Sequence, residues 1–455
     1  MGTPLYTALL ELSRRNSLRL HMPGHKGRAG ALFRDIAAID FTELDPTGNL
    51  YTGEGPIAPA EDLCAEAAGA GDALFFTCGA TQGIFTMLAA AVGMGGTLIL
   101  DRGCHKSVYH GMGLLDITPR YFYPSLLPEI GLPAPVTPDL LHRTLNEHPE
   151  ARAVFLTSPS YYGIRTEIGP LAELCHQFGV YLLVDEAHGA HFPFVGVPSA
   201  VSQGADLAVV STHKTWPALG ASSVLYRNPC FSLSKQQLKT ISSIFATTSP
   251  SYPILASIDY ARNVLEGQAG DAYRQAAVCT ALLRKTVNEE TPFHALWEKD
   301  GLLLDPCRFA VDTLRGSLSG RDADTRLQRE NIYLEMADER YFVAIFTCHD
   351  QADSFDRLSA GIRYLAREAV TTTPPLTFSP PPPEIRCSIR SALFGPVESL
   401  PLRKSVGQIS AEILAPYPPG IPIVAPGEEI TEKHIAYLQK KSYNIDKSIA
   451  VVKNR

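Results

Sequence analysis

Short apolar runs that end at polar turns recur along the first half of the chain. Their length and lack of interruption predict strands buried on both faces of a sheet, at residues 73–76, 97–100, 153–156, 180–184 and 207–210. Between these runs, apolar positions with helical spacing lie at residues 60–69, 82–92 and 171–178. Because strands and helices alternate, we predict an α/β fold with a mostly parallel sheet covered by helices.

The two ends of the chain carry other patterns. Leucines on one side of residues 1–20 predict an amphipathic helix, and residues 238–267 predict a helical stretch interrupted by a proline-containing turn. Further on, apolar runs at 332–336 and 341–346 predict strands of a smaller α+β region. The proline run at 380–383 can be a recognition motif, but we favour a rigid connector.

Composition narrows the classes of function. The 455 residues are 45% hydrophobic and 19% charged, as in a globular rather than a disordered chain. A net charge of −7 leaves no broad basic surface, so we expect neither a nucleic-acid nor a membrane partner. The apolar stretch 84–94 is too short to span a bilayer, and the N-terminal residues lack an apolar signal core. Nine scattered cysteines without a C-x-x-C pair predict reduced thiols and a cytoplasmic protein.

Residues with reactive side chains follow the carboxyl ends of the predicted strands. They lie at 78–81, Asp101, Ser158, Asp185 and 211–214. In open α/β sheets, ligands bind at this edge of the sheet. The sequence therefore predicts one shared site there.

A lysine and an aspartate at this edge suggest a particular chemistry. Lys214 follows a buried strand, and a desolvated lysine can form a Schiff base with a carbonyl group, although a solvated turn lysine explains the same pattern. Asp185 ends another buried strand and needs a cationic partner. The protonated ring nitrogen of pyridoxal 5'-phosphate is one such partner, while an internal salt bridge or a helix N-cap is the alternative.

The turn at 78–83 precedes a helix, so its free N–H groups and the Thr81 hydroxyl can cradle an anion. An ordinary turn between strand and helix is the alternative, and the absence of G-x-G-x-x-G disfavours a dinucleotide. Histidines near these points are His105, His188, His191 and His213. Their spacing matches no strong metal signature, so we predict no metal. A phosphate cradle, an aspartate, a lysine and a stacking histidine together suit pyridoxal phosphate.

Four motifs, in order, resemble the ornithine/lysine/arginine decarboxylase family in its shorter form, without the N-terminal wing domain. They are H-M-P-G-H-K-G at 21–27, D-R-G-C-H-K-S at 101–107, S-T-H-K-T at 211–215, and Y-P-P-G-I-P to P-G-E at 417–428. The resemblance covers about residues 3–440. It implies a fold-type-I, aspartate aminotransferase-like architecture with an N-terminal arm at 1–45, a cofactor-binding large domain at 46–300 and a small α+β domain at 301–455.

The resemblance also implies roles for single residues. Lys214 carries the cofactor covalently, Asp185 pairs with its ring nitrogen and His105 stacks on its ring. Together with His213, these three form the implied catalytic set. The phosphate is held by Ala80, Thr81, Ser211 and His213. Ser158 and His188 lie beside the cofactor, and the residues implied to face the substrate are Tyr161 and Glu428.

The implied reaction is pyridoxal-phosphate-dependent α-decarboxylation of a small-molecule substrate, arginine, lysine or ornithine, to an amine of polyamine metabolism. The family builds its site at a subunit interface, so we expect a homodimer or higher homo-oligomer in which loops 21–27 and 43–56 serve the neighbouring subunit. Departures from the family pattern, such as C-G-A-T-Q-G at 78–83, leave other reactions open. These are aldol cleavage, transamination with Arg390 as a carboxylate clamp, or cofactor binding without catalysis.

Overall fold

A computed structural model describes residues 2–14, 34–374, 382–416, 422–441 and 443–453 of the protein. Four of the sequence features fall wholly or partly outside these residues: the last part of the helix predicted at 1–20, the motif at 21–27, half of the proline run, and the first part of the motif at 417–428. Predictions made for them, including the part that loop 21–27 plays in a neighbouring subunit, stay predictions.

The helices and strands follow in chain order. The α-helices are α1 (Pro4–Arg14), α2 (Arg34–Ile39), α3 (Ile57–Ala68), α4 (Gly79–Ala91), α5 (Lys106–Leu115), α6 (Pro138–Glu147), α7 (Ile168–Gln177), α8 (Thr212–Thr215), α9 (Lys235–Ser243), α10 (Tyr252–Leu265), α11 (Gln268–Glu290), α12 (Gly320–Arg329), α13 (Ala352–Ala366), α14 (Ile389–Phe394) and α15 (Glu432–Lys440). The strands are β1 (Asp72–Phe76), β2 (Thr97–Asp101), β3 (Thr118–Phe122), β4 (Ala151–Thr157), β5 (Tyr181–Asp185), β6 (Leu207–Val210), β7 (Ser223–Arg227), β8 (His294–Ala295), β9 (Arg308–Asp312), β10 (Met336–Ala337), β11 (Tyr341–Ile345), β12 (Val397–Pro401) and β13 (Ser448–Val452).

The large sheet has seven strands in the order β1-β7-β6-β5-β4-β2-β3. Strands β2 to β6 pair in parallel, and β7 runs antiparallel to both of its neighbours. Buried apolar side chains form one cluster on each face, so helices cover both sides. The prediction of a mostly parallel, helix-covered sheet is confirmed, and each predicted apolar run is one of its strands.

Two smaller sheets follow. One has the order β10-β11-β9-β8 and packs against α11 and α12, with α13 in the same apolar cluster, and the other pairs β12 with β13. The second half of the chain is therefore α+β, as expected, with apolar clusters of its own. The predicted domain boundaries at residues 45 and 300 stay predictions.

One predicted strand is wrong. Residues 332–336 do not form a strand, and only Met336 and Ala337 pair with β11. Instead, the Ile332 N–H donates to the Leu327 carbonyl and closes the end of α12, where Asn331 is left-handed (φ 56°). The apolar side chain of Ile332 then packs on the cluster between the second sheet and its helices. Among the described residues, no helix is long and apolar enough to cross a membrane.

Candidate active site

A cavity of about 630 Å³ opens at the carboxyl edge of the large sheet. It brings together most of the residues predicted from the sequence: Ala80, Thr81, His105, Tyr161, Asp185, His188, Ser211, His213 and Lys214. They converge because parallel strands present their carboxyl ends at one edge. Thus Asp185 is the last residue of β5, and Lys214 lies in the short helix that follows β6. The predicted shared site therefore exists as a single cavity.

Asp185 provides a buried carboxylate at the cavity wall. Only 3% of its surface is exposed, and its Oδ1 atom accepts a hydrogen bond from the Ala187 N–H at 3.0 Å. Burial raises the pKa of Asp185, against the lowering effect of Lys214. Within the described part of the chain, Asp185 forms no ion pair. A buried carboxylate without an ion-pair partner favours the binding of a ligand with a cationic group.

Lys214 lies in contact with a histidine in the same cavity. Its Nζ atom is 3.1 Å from His188 Nε2, and the other ring nitrogen of His188 is 2.9 Å from Arg308 Nη2. Burial lowers the pKa of Lys214, with Asp185 acting in the opposite direction. Burial and the positive charge of Arg308 also hold the pKa of His188 well below its usual range. A lysine with a lowered pKa is a better nucleophile near neutral pH.

The start of α4, where an anion cradle is predicted, has no side-chain cap. Gly79, with φ 72°, makes the sharp entry to its first turn. Ala80 and Thr81 of that turn line the cavity. Uncapped N–H groups at a helix N-terminus bind anions such as phosphate. On the facing wall, the His213 ring is oriented by a 2.8 Å hydrogen bond from Nδ1 to the Ser222 carbonyl.

His105 lies at the start of α5, as its N-cap. Its Nδ1 atom accepts from the Ser107 N–H at 3.3 Å and lies 2.7 Å from the Ser107 hydroxyl. Burial, together with the nearby amine of Lys214 and the positive charge of Lys106, lowers the pKa of His105 to about 4. The ring is therefore neutral at physiological pH, which suits stacking on an aromatic ring.

Three sequence candidates lie outside the cavity lining. Ser158 is buried behind the wall, where its hydroxyl accepts from the Thr166 N–H at 3.0 Å. Glu428 forms a buried, bidentate ion pair with Arg102, with both N–O distances at 2.6 Å. Arg390 is exposed and donates to the Leu114 carbonyl at 2.8 Å. Glu428 and Arg390 are thus held in structural contacts within their own chain.

The residues behind His188 were not predicted from the sequence. Arg308 and Asp305 are buried beneath the cavity, and Asp305 Oδ1 is 2.9 Å from His191 Nε2. His191, Asp305 and Cys307 are close enough together to consider a metal, but the direct hydrogen bond between the first two already uses those ligand atoms. The only available sequence signal was a charged residue at the start of the apolar strand β9.

The sheet, with a lysine and an aspartate at its carboxyl edge, defines the fold-type-I, aspartate aminotransferase-like class. Two solved structures share this fold. Lysine decarboxylase LdcF from Francisella novicida has a TM-score of 0.84 at 19% identity, covering 99% of this chain and 81% of that one. Alanine–glyoxylate aminotransferase from Nostoc sp. has a TM-score of 0.56 at 17% identity, covering 78% of this chain and 98% of that one.

The family is narrower than the class. Residues 3–313 match the family described as Orn/Lys/Arg decarboxylase, major domain, and residues 382–447 match its C-terminal domain. The chain belongs to the Orn/Lys/Arg decarboxylase family, as the four motifs predicted. Arginine decarboxylase from Bacillus subtilis is 33% identical over 99% of this chain and 95% of its own length. Lysine decarboxylase LdcA from Pseudomonas aeruginosa is 22% identical over 94% of this chain and 74% of its own length.

Proposed function

We propose that the chain binds pyridoxal phosphate in the cavity and catalyses α-decarboxylation of a basic amino acid. The observation that carries this proposal is that two unusual groups line the same cavity. One is a buried aspartate, Asp185, without an ion-pair partner among the described residues, and the other is Lys214, whose pKa is lowered. Each group is costly to bury alone. A cofactor with a carbonyl group and a protonated ring nitrogen satisfies both.

The remaining walls fit the same cofactor. The uncapped start of α4, with Ala80 and Thr81, would hold the phosphate together with Ser211 and His213. The neutral ring of His105 would stack on the pyridine ring. These positions surround one cavity of about 630 Å³, which is within the range of small-molecule sites.

Bound pyridoxal phosphate supplies an electron sink for the electron pair released when the bond between Cα and the carboxylate breaks. The residues of this chain control the conditions for that step. Asp185 would pair with the ring nitrogen and keep it protonated. Leu132, Pro133 and Ile164 form an apolar part of the wall that excludes water and favours loss of the charged carboxylate as neutral CO₂. Lys214 Nζ, once it has taken up a proton from the amino group of the bound substrate, would return a proton to Cα.

Acidic groups near the cavity favour a substrate with a cationic side chain. Asp101 lines the cavity, and Glu335 accepts a hydrogen bond from the Tyr161 hydroxyl at 2.8 Å. The relatives named arginine decarboxylase and lysine decarboxylase support substrates of this kind. The products would be amines that can enter polyamine metabolism. All nine cysteines are free, in line with the proposed cytoplasmic location.

We also retain the proposals of a homodimer with its active site at the subunit interface and of a large domain bounded at residues 46 and 300. The dimer proposal rests on the family to which the chain belongs.

A substrate screen tests the proposed function. The purified chain, supplied with pyridoxal phosphate, would be given arginine, lysine, ornithine or glutamate, and both the amine and the corresponding oxo acid would be measured. We expect the amine from at least one basic amino acid and none from glutamate. Formation of the oxo acid instead would replace decarboxylation with transamination, although Arg390 lies away from the cavity.

A further inference from the structure

Arg308 lies behind the cavity, at the start of β9 in the second sheet, and is 1% exposed. Its Nη2 atom is 2.9 Å from His188 Nδ1. A guanidinium group has only hydrogen-bond donors and stays protonated at any ordinary pH. Arg308 therefore donates, and the Nδ1 atom of His188 accepts.

This hydrogen bond determines the protonation of the other ring nitrogen. An imidazole whose Nδ1 accepts is neutral and carries its proton on Nε2. That Nε2 atom lies 3.1 Å from Lys214 Nζ, so it is the donor in this contact. An amine can accept only through a free lone pair, and so Lys214 must be neutral here.

We propose that Arg308 is a positioning residue that fixes the tautomer of His188 and thereby holds Lys214 as the neutral amine that a carbonyl cofactor requires. The use of this amine rests on the proposed function, but the tautomer itself does not. The second sheet would thus prepare the lysine at the edge of the first sheet, through a chain of two hydrogen bonds.

The packing around Arg308 leaves it little freedom. A Cβ atom added at Gly163, which has φ 86°, would lie 2.5 Å from Arg308 Cγ, so the loop before Ile164 packs directly on this side chain. Asp305 Oδ2 is 3.8 Å from Arg308 Nε. Among the described residues, Nε and Nη1 of Arg308 have no hydrogen-bond partner, which makes the bond to His188 its main directional contact.

The charged groups on every side agree with this assignment. Burial is the largest influence that lowers the pKa of Lys214, and Arg308 lowers it further, whereas Asp185 and Glu335 raise it. For His188, burial and then Arg308, Lys214, His105 and His191 all lower the pKa. Both pKa shifts are therefore towards the neutral form, the form that the geometry of the contact requires.

The first test reads the tautomer directly. The full-length, cofactor-free chain would be labelled with ring-¹⁵N histidine, and the His188 signals assigned by their loss in His188→Gln. We expect a protonated Nε2 and an unprotonated Nδ1 throughout the neutral pH range. In Arg308→Met, we expect His188 to titrate at a higher pH than in the unchanged chain. A protonated Nδ1 in the unchanged chain would overturn the proposal, even if Arg308→Met failed to fold.

The second test reads the lysine. The rate at which the cofactor-free chain captures pyridoxal phosphate would be followed by borohydride trapping at Lys214, as a function of pH. Removing Arg308 should raise the pKa of Lys214, so Arg308→Met should capture the cofactor about tenfold more slowly near neutral pH and regain speed at higher pH. Arg308→Lys retains a donor and a positive charge and should stay within about twofold of the unchanged chain.

A matched control separates this role from simple packing. Arg284 is also buried and donates to the carbonyls of Asp305 and Arg308 at 2.7 and 2.6 Å, without contacting His188. Arg284→Met should lower stability but leave the His188 tautomer and the pH profile of capture unchanged. If Arg284→Met moved that profile as far as Arg308→Met, the proposal would be wrong. A correct tautomer in a chain without decarboxylase activity would refute only the proposed function.

Discussion

Glu428 forms an ion pair with Arg102, which lies three residues before His105, and so joins the C-terminal part of the chain to the wall of the cavity. Glu428→Gln removes the negative charge of this pair. Arg102 donates two hydrogen bonds to the Glu428 carboxylate, and the Ala425 N–H donates a third at 2.6 Å. The Arg102 and Glu428 side chains are 8% and 2% exposed. Burial lowers the pKa of the Arg102 guanidinium, whereas the hydrogen bonds and the negative charge of Glu428 raise that pKa. The net shift of the Arg102 pKa is upward. The substitution leaves a buried guanidinium without its counter-charge, which costs about 3–5 kcal/mol.

The adjacent residue offers a matched control. Glu429 pairs with Arg386 at the same 2.6 Å, but these side chains are 25% and 46% exposed. Breaking an exposed pair costs about 0.2–1 kcal/mol. The free energy of unfolding in urea, followed by two spectroscopic probes, should therefore fall several-fold more in Glu428→Gln than in Glu429→Gln. Equal losses in the two variants would refute the reasoning from burial.

The same variant tests the predicted contact between Glu428 and the substrate. If Glu428 is structural, Arg102→Met combined with Glu428→Leu should recover much of the lost stability, because paired apolar side chains can replace a buried ion pair. If Glu428 instead binds the cationic end of the substrate, Glu428→Gln should raise KM strongly with little loss of stability.

Three further predictions concern the cavity. Asp185→Asn should lower kcat by about a hundredfold or more, since a charge aimed at the reacting group is lost, without lowering the urea midpoint of the cofactor-free chain, since burial disfavours that charge; an unchanged kcat would show that its carboxylate is not needed. The pKa of His105 is lowered from 6.5 to about 4 in the folded chain, so the unfolded chain binds this proton at a higher pH than the folded chain does. Stability should therefore fall as the pH drops from 6.5 to about 4. His105→Phe should show a smaller loss between these pH values in matched denaturation curves. Gly163→Ala should cost at least about 1 kcal/mol, because φ is 86° and the new Cβ would meet Arg308; unchanged stability would mean that the loop moves freely.

The sequence predicted the central strands of the large sheet because their residues are buried on both faces and so read as unbroken apolar runs. Strand β3, with the sequence T-P-R-Y-F at the sheet edge, lacks such a run and was missed. Strand β7 was also missed, because its apolar run is only three residues long, between Ser223 and Arg227. In the second sheet, the two end residues of β9 are the charged Arg308 and Asp312. The sequence therefore did not indicate that the whole strand is buried.

The candidate site was predictable where a side chain directly follows a strand, as with Asp185 and Lys214. It was not predictable where contacts join distant parts of the chain. Arg308 and His188 are 120 positions apart, and Arg102 and Glu428 are 326 positions apart. The motif around Glu428 indicated the family, but the partner of its carboxylate follows only from the three-dimensional packing.

The fate of the substrate carboxyl group tests the proposed function most directly. The purified chain and its Lys214→Ala variant would be supplied with pyridoxal phosphate and with arginine, lysine or ornithine carrying ¹³C in the carboxyl group. The account predicts that the unchanged chain releases labelled CO₂ from at least one of these amino acids and that Lys214→Ala releases none above background. Retention of the label in every product of the unchanged chain, or equal release by the two proteins, would contradict it.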